Sequence, residues 1–143
     1  MTPRPPFKFS ATTRVGFSDT DAQGVVYYGR YMPYFDLARV EYHRALEMLR
    51  TGPENEQFVM RALTVEYHAP ARFDDEIEVD VRIARIGTSS VTYEFAAYLR
   101  GEVLAVTATQ TVVLVDLAER KPCPVPDWWR GKIRSFEGAD LEA

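Results

Sequence analysis

Asp19 and Asp21 flank Thr20 and lead into Ala22, Gln23, Gly24, Val25, Val26, Tyr27, Tyr28 and Gly29. Acids set beside so apolar a segment either punctuate a turn or are held there for chemistry. A free aspartate titrates near ~4, so at neutral pH it is ionised and can attack a carbonyl carbon or orient a water toward one. Such an attack builds negative charge on the carbonyl oxygen, and that charge needs donors. The backbone N–H groups around Tyr28 precede a helix, lack intrahelical partners and carry the positive end of its dipole. Gly24 lets the chain reverse, which brings Asp19 or Asp21 opposite those donors. The spacing alone does not choose between the two acids, and an Asp-Thr-Asp run followed by glycine also suits an ordinary turn.

Other chemistries find no residues to carry them. The chain has no G-x-S-x-G nucleophile elbow, no phosphate-binding glycine loop and no cysteine and histidine cluster with metal-ligand spacing. Its two histidines, His43 and His68, read as structural, the first on a helix beside the polar flank and the second at a strand end next to Ala69 and Pro70. Cys123, between Pro122 and Pro124, reads as inert.

The elements that must position the acids follow from periodicity. From Tyr31 onward, Tyr31, Tyr34, Phe35, Ala38, Tyr42, Ala45, Leu46 and Leu49 recur at steps of three and four, the spacing of one helical face. Leu37 and Val40 widen the stripe, which predicts a helix embraced by a sheet. Pro33 fits only the first turn, Arg50 suits the negative end, and Thr51-Gly52-Pro53 predicts the stop. A strand over residues 9–17 precedes the turn at 19–29. After the helix, Leu63, Val65 and Tyr67 alternate with polar residues. Ile77, Val79, Val81 and Ile83 alternate with Glu78, Asp80 and Arg82, which predicts a strand with one wet face. Gly87, Thr88, Ser89 and Ser90 form a turn, a strand begins at Val91, and Gly101-Glu102 marks a hairpin. The last strand, 103–115, ends in Val112-Val113-Leu114-Val115, too apolar for a surface edge; it is expected to be central or buried against another subunit. Trp129, Ile133 and Phe136 predict a short amphipathic helix.

One strand, one long helix and four further strands give an α+β architecture in which an antiparallel sheet wraps the helix. A ferredoxin-like arrangement would require a second long helix between strands. The 143 residues fit one domain, 1–143, with its core at about 9–116 and a C-terminal segment at 117–143. A net charge of −4 argues against a nucleic-acid partner, and the apolar runs fall short of the ~20 residues of a membrane span. The opening MTPRPPFKF lacks the apolar core of a secretory signal, and a single cysteine fits a reducing compartment, so the expected location is cytoplasmic.

The block from Asp19 through Tyr28, with Tyr31, Phe35, Ala38-Arg39 and Glu41, resembles the 4-hydroxybenzoyl-CoA thioesterase family, closest to the branch of short-chain acyl-CoA thioesterases encoded with the bacterial Tol-Pal system. The likeness continues through Thr64-Val65-Glu66-Tyr67, Ala69-Pro70-Ala71-Arg72, Asp74-Asp75 and Gly87-Thr88-Ser89, and covers roughly residues 14–115. It implies a hotdog fold and hydrolysis of an acyl-CoA thioester, short-chain or aromatic, to free acid and CoA. It assigns catalysis to Asp21, as nucleophile or general base, and polarisation of the carbonyl to the Tyr28 N–H. Asp19 matches the first acid of the motif, with a structural role. The resemblance also implies substrate contacts from Gly24, Val25, Tyr27, Tyr31 and Asp36, and CoA contacts from Gly87, Thr88, Ser89 and Ser90. Tyr28 replaces the histidine common in the Tol-Pal branch, and the 87–90 turn lacks the basic residues of the aromatic branch, which turns attention to Arg61, Arg72 and Arg85 for the phosphates. Family members pair into dimers, often tetramers, with sheets joined edge to edge and active sites at the interface. A thiolate leaves readily, so no metal or cofactor is called for. The alternative reading is a non-catalytic hotdog module that binds an acyl thioester or a protein.

Overall fold

The computed structural model describes residues 3–50, 52 and 56–142. Alternating residues build five long strands: β1 (Phe9–Arg14), β2 (Phe58–Tyr67), β3 (Glu76–Ile86), β4 (Ser90–Leu99) and β5 (Val103–Asp116). Helix α1 (Tyr31–Ala45) lies between β1 and β2; a two-residue strand β6 (Lys121–Pro122) and helix α2 (Asp127–Glu137) follow β5. The sheet is antiparallel throughout, in the order β1-β3-β4-β5-β2, with β6 added to β5. This is the expected α+β hotdog architecture. The apolar run Val112-Val113-Leu114-Val115 is explained by position, because β5 lies between β4 and β2. The amphipathic helix expected around Trp129, Ile133 and Phe136 is α2, with Trp129 and Ile133 buried.

Helix α1 lays Tyr31, Tyr34, Phe35, Ala38 and Tyr42 against the sheet. It is not embraced on all sides: Leu37 and Val40 are each 38% exposed. The helix also stops at Ala45, before the expected Thr51-Gly52-Pro53 signal, of which Thr51 and Pro53 lie outside the described residues. The apolar period runs on past the helix because Glu47 takes a left-handed φ of 59° and Met48 then folds back, its N–H donating to the His43 carbonyl at 2.8 Å. At the other end, β1 closes at Arg14 rather than at residue 17, since Gly16 opens a 3-10 turn over Phe17–Asp19.

The wet face expected on β3 is dry. Glu78, Asp80 and Arg82 are only 1%, 0% and 8% exposed. The alternation correctly sorts residues between two faces, but the chain's own ends cover the second one. Arg4 stacks on Tyr98 at 3.6 Å, donates its backbone N–H to Asp80 at 3.2 Å and places its guanidinium 4.0 Å from Glu78. Arg82 pairs with Glu94 at 2.8 Å and donates to the Asp140 carbonyl at 3.0 Å. Burial pushes the Asp80 carboxyl up from its ordinary range, against the Arg4 N–H that favours its charge.

A second buried acid ties α2 to the core. Glu137 accepts from the Tyr42 hydroxyl at 2.6 Å and from the Ile83 N–H at 3.0 Å, with Lys8 Nζ 3.9 Å away. Burial, and then the Glu137 charge, push the Tyr42 phenol up. Removing the hydroxyl takes from Glu137 Oε2 one of its two donors, leaving the Ile83 N–H, and hydrogen bonds to charged groups contribute about 1.5–3 kcal/mol. Tyr42→Phe is expected to lower stability by about 2 kcal/mol, read as a lower urea midpoint at unchanged slope.

Candidate active site

The loop that carries both acids is a small hairpin held against the β2–β3 connection. Thr20 bridges Val26, Val25 bridges Arg72, and the Val26 N–H donates to the Ala71 carbonyl at 2.8 Å. Gly24, at φ 80°, makes the reversal, and its N–H closes the turn onto the Asp21 carbonyl at 3.0 Å. The chain then enters α1 through a 3-10 turn over Tyr28–Arg30.

The two carboxylates differ in what they hold. Asp19 accepts from the Gly16 N–H at 3.0 Å, the Tyr34 hydroxyl at 2.7 Å and the Arg30 guanidinium at 3.0 Å. Desolvation works to raise its pKa, but the Tyr34, Gly16 and Arg30 hydrogen bonds prevail and hold it below the usual carboxylate range. Asp21 is half-buried and carries no salt bridge among the described residues; its Oδ1 accepts from the Gln23 N–H at 2.9 Å. No hydrogen bond engages its Oδ2 within the described residues.

The same loop carries an unspent backbone donor and two aromatic rings. None of the described residues accepts a hydrogen bond from the Tyr28 N–H, which stands at the mouth of the helix. The Tyr67 hydroxyl donates to the Tyr28 carbonyl at 2.9 Å and so fixes that residue. The Tyr27 and Tyr28 rings lie 4.4 Å apart, and Tyr28 is 63% exposed. The neighbouring Tyr28 hydroxyl, and more weakly the Asp21 charge, push the Tyr27 phenol up. Tyr31 is buried beneath them, its ring 5.7 Å from Tyr67.

Asp21, Gly24, Val25, Tyr27 and Tyr28 thus share one loop, with Tyr31 at its base. Asp36 stands apart on the exposed face of α1, paired with Arg39 at 2.8 Å. The turn of Gly87, Thr88, Ser89 and Ser90 is farther still. The Asp21 loop packs where β3 begins and this turn follows its last residue, so 11 residues of strand separate them, about 35 Å of extended chain. Arg61, Arg72 and Arg85 are all exposed. Sequence reasoning missed Arg130, whose guanidinium reaches from α2 to the Gly87 and Thr88 carbonyls. No spacing rule links residue 130 to that turn; only the return of α2 across the sheet end brings them together.

His43 does not lie on a polar flank. Its Nε2 is 2.6 Å from the Tyr93 hydroxyl, and its ring packs 5.6 Å from Trp129. Desolvation, followed by the Arg39 charge, holds its pKa down at about 4. His68 is exposed, its Nε2 3.0 Å from the Thr107 hydroxyl. Among the described residues no group of three or more His, Cys, Asp or Glu could hold a metal ion, and no helix is long and apolar enough to cross a membrane.

An antiparallel sheet around one long helix is the architecture of the hotdog proteins. Residues 15–133 match the Thioesterase-like superfamily, and the chain belongs to that family of thioester hydrolases. It is 35% identical over 121 residues to the acyl-CoA thioesterase YbgC of Haemophilus influenzae, covering 82% of this chain and 88% of that one. It is likewise 35% identical over 120 residues to the acyl-CoA thioester hydrolase YbgC of Escherichia coli O157:H7, covering 82% and 90%. Among solved structures, a thioesterase from Thermus thermophilus complexed with coenzyme A and Zn superposes with a TM-score of 0.80 at 27% identity, covering 94% of this chain and 98% of that one. The family resemblance read from the Asp19 to Tyr28 block is borne out.

Two outcomes follow from the environments of Asp19 and His43. Asp19→Asn keeps the shape but weakens the charge-assisted bonds from Gly16, Arg30 and Tyr34 at a partly solvated site, and is expected to cost about 1 kcal/mol. Because the folded pKa of Asp19 lies below the unfolded one, its contribution is present above pH ~4 and is lost as pH falls through the folded value. The wild-type and variant thermal midpoints should therefore converge in acid. For His43, the imidazole NMR resonances are expected to stay at their neutral positions from pH 8 down to about 5 and move only as pH approaches about 4.

Proposed function

We propose that this chain hydrolyses acyl-CoA thioesters, with Asp21 as the catalytic carboxylate and the Tyr28 N–H as the oxyanion donor. The observation that carries the reading is a carboxylate with one uncommitted oxygen in the same loop as an uncommitted helix-mouth N–H. The 35% identity to acyl-CoA thioesterases supports it. The thioester carbonyl oxygen seats on the Tyr28 N–H, and the partial charge of the helix end stabilises the tetrahedral oxyanion. Asp21 adds to the acyl carbon, giving an anhydride that water opens, or takes a proton from a water that adds directly. In either course the C–S bond breaks, CoA departs as the thiolate and is protonated, and the acyl group leaves as the free acid. Gly24, Val25, Tyr27 and Tyr31 flank the reacting carbonyl, and Asp36 contributes from the exposed face of α1.

The turn of Gly87, Thr88, Ser89 and Ser90 serves the CoA end through its N–H and hydroxyl groups, but not for the Asp21 of its own chain, which lies at the other end of the sheet. The open edge of β2 resolves this. Beside it, Leu37 and Val40 leave an apolar strip on α1 exposed, and Val59, Met60 and Leu63 on β2 are exposed as well. A second copy paired antiparallel along β2 covers both features and turns the end of one sheet that carries Asp21 toward the end of the other that carries the CoA turn. The working unit is then at least a dimer, with each site drawn from two subunits.

Asp21→Asn is nearly isosteric, keeps the Gln23 turn and removes the charge. Thiol release from a panel of acyl-CoA esters is expected to fall by about 10³-fold in this variant, with the circular dichroism spectrum unchanged. Wild-type turnover in Asp21→Asn would end the assignment.

A further inference from the structure

Tyr28 offers its N–H at the helix mouth, but its own side chain does little to hold it there. That ring is exposed and leans on the ring of Tyr27, which is exposed as well. The 3-10 turn that Tyr28 opens has no side-chain cap. Two backbone bonds fix the preceding residue: the Tyr27 N–H donates to the Asp19 carbonyl at 2.9 Å, and the Arg30 N–H donates to the Tyr27 carbonyl at 2.8 Å. Among the described residues, the side chain that bonds the Tyr28 backbone is that of Tyr67, whose hydroxyl donates to the Tyr28 carbonyl at 2.9 Å.

Tyr67 has a rigid base. It closes β2 opposite Val106 of β5, and the next two N–H groups, of His68 and Ala69, both donate to the Ala105 carbonyl, at 2.7 and 3.1 Å. Its ring rests against buried Tyr31. Desolvation, followed by the Tyr28 phenol, pushes its own phenol up, so it keeps its proton to donate at neutral pH. The chain just beyond it holds the acid. The Ala71 carbonyl takes the Val26 N–H and Arg72 bridges Val25, both on the hairpin that carries Asp21. Residues 67–72 are thus a common footing for the carboxylate and the amide.

Resting on the thioesterase reading, we propose that Tyr67 is a positioning residue, whose hydroxyl holds Tyr28 so that the oxyanion donor keeps its place relative to Asp21. It acts through the Tyr28 backbone and not on the acyl group. The carbonyl oxygen gains its full charge only as the acyl carbon becomes tetrahedral, so a displaced donor costs rate more than it costs binding. Losing an oxyanion donor outright lowers kcat by about 10²–10³-fold, and a donor that is present but less well held loses part of that.

Tyr67→Phe keeps the ring on Tyr31 and removes only the hydroxyl. With the acyl-CoA ester that wild type cleaves fastest, kcat for thiol release is expected to fall by about tenfold while KM stays within about twofold. Tyr67 is exposed, so the urea midpoint is expected to hold. So is the affinity for an unreactive thioether analogue of the ester, in which a methylene replaces the carbonyl. In amide NMR spectra the Tyr28 and Gly29 resonances are expected to move. A purely structural contact gives a different pattern, in which KM, analogue binding and urea midpoint worsen together with kcat. That pattern, an unchanged kcat, or Tyr28 and Gly29 amides that stay in place overturns the proposal and leaves the thioesterase reading standing. A wild-type protein that cleaves no ester sinks the thioesterase reading, and this proposal with it.

Discussion

The three residues that donate to the Asp19 carboxylate set the position of everything around the helix mouth. Gly16 belongs to the exit from β1, Arg30 to the turn before α1, and Tyr34 to the first turn of the helix itself. One carboxylate therefore joins the sheet, the loop and the helix start in a single charged cluster that is partly shielded from water. Tyr27 adds a backbone bond to the Asp19 carbonyl at 2.9 Å, so the residue before the Tyr28 donor is pinned by the same aspartate. Because Asp19 does this, Asp21 does not have to. The second acid rides on a hairpin whose geometry is already fixed, and it keeps an oxygen for other use.

The second constraint is that a five-stranded sheet cannot enclose a fifteen-residue helix completely. The curl begins at β1 and ends at β2, leaving Leu37 and Val40 and one strand edge open. The two ends of the sheet differ chemically. One carries the acidic loop and exposed tyrosines. The other carries a tight turn braced by Arg130. On the proposed reading, pairing along β2 converts this polarity into function, since an antiparallel two-fold brings unlike ends together.

Much of this was legible in the sequence because it depends on local chemistry. The period of three and four from Tyr31, with Pro33 in the first turn, located the helix start, and the even alternation of Ile77, Val79, Val81 and Ile83 located β3. The Asp19 to Tyr28 block identified the family. What failed did so where distant chain decides. The dry face of β3 depends on Arg4 and Asp140, far from it in sequence. The helix stops at Ala45 because Met48 finds a place in the core, and an apolar residue one step beyond a helix continues its period just as well as one inside it. His43 falls on the helix where a polar flank would be, yet Tyr93 and Trp129 arrive from other elements to bury it. Arg130 had no local signature at all.

Charge placement gives the strongest internal argument for the site. Glu78, Asp80 and Glu137 are buried, and each is met by a hydroxyl, a backbone N–H or a nearby cation. Asp19 has three donors. Placing a carboxylate in a fold costs free energy unless such partners offset its desolvation, and each of these acids has at least one, although Asp80 Oδ1 and Glu137 Oε1 have no hydrogen-bond partner among the described residues. Asp21 is held more lightly than Asp19. It is half-buried, has one backbone donor and no salt bridge among the described residues, and shares its loop with Tyr28, whose own N–H is unspent among them. Its single bond to Gln23 could be made equally well by asparagine, so the turn does not require the charge. A carboxyl group that the turn does not require is accounted for most simply by what it does to a bound molecule. The adjoining Tyr28 N–H supplies the complementary partial charge that such a molecule's carbonyl oxygen would need.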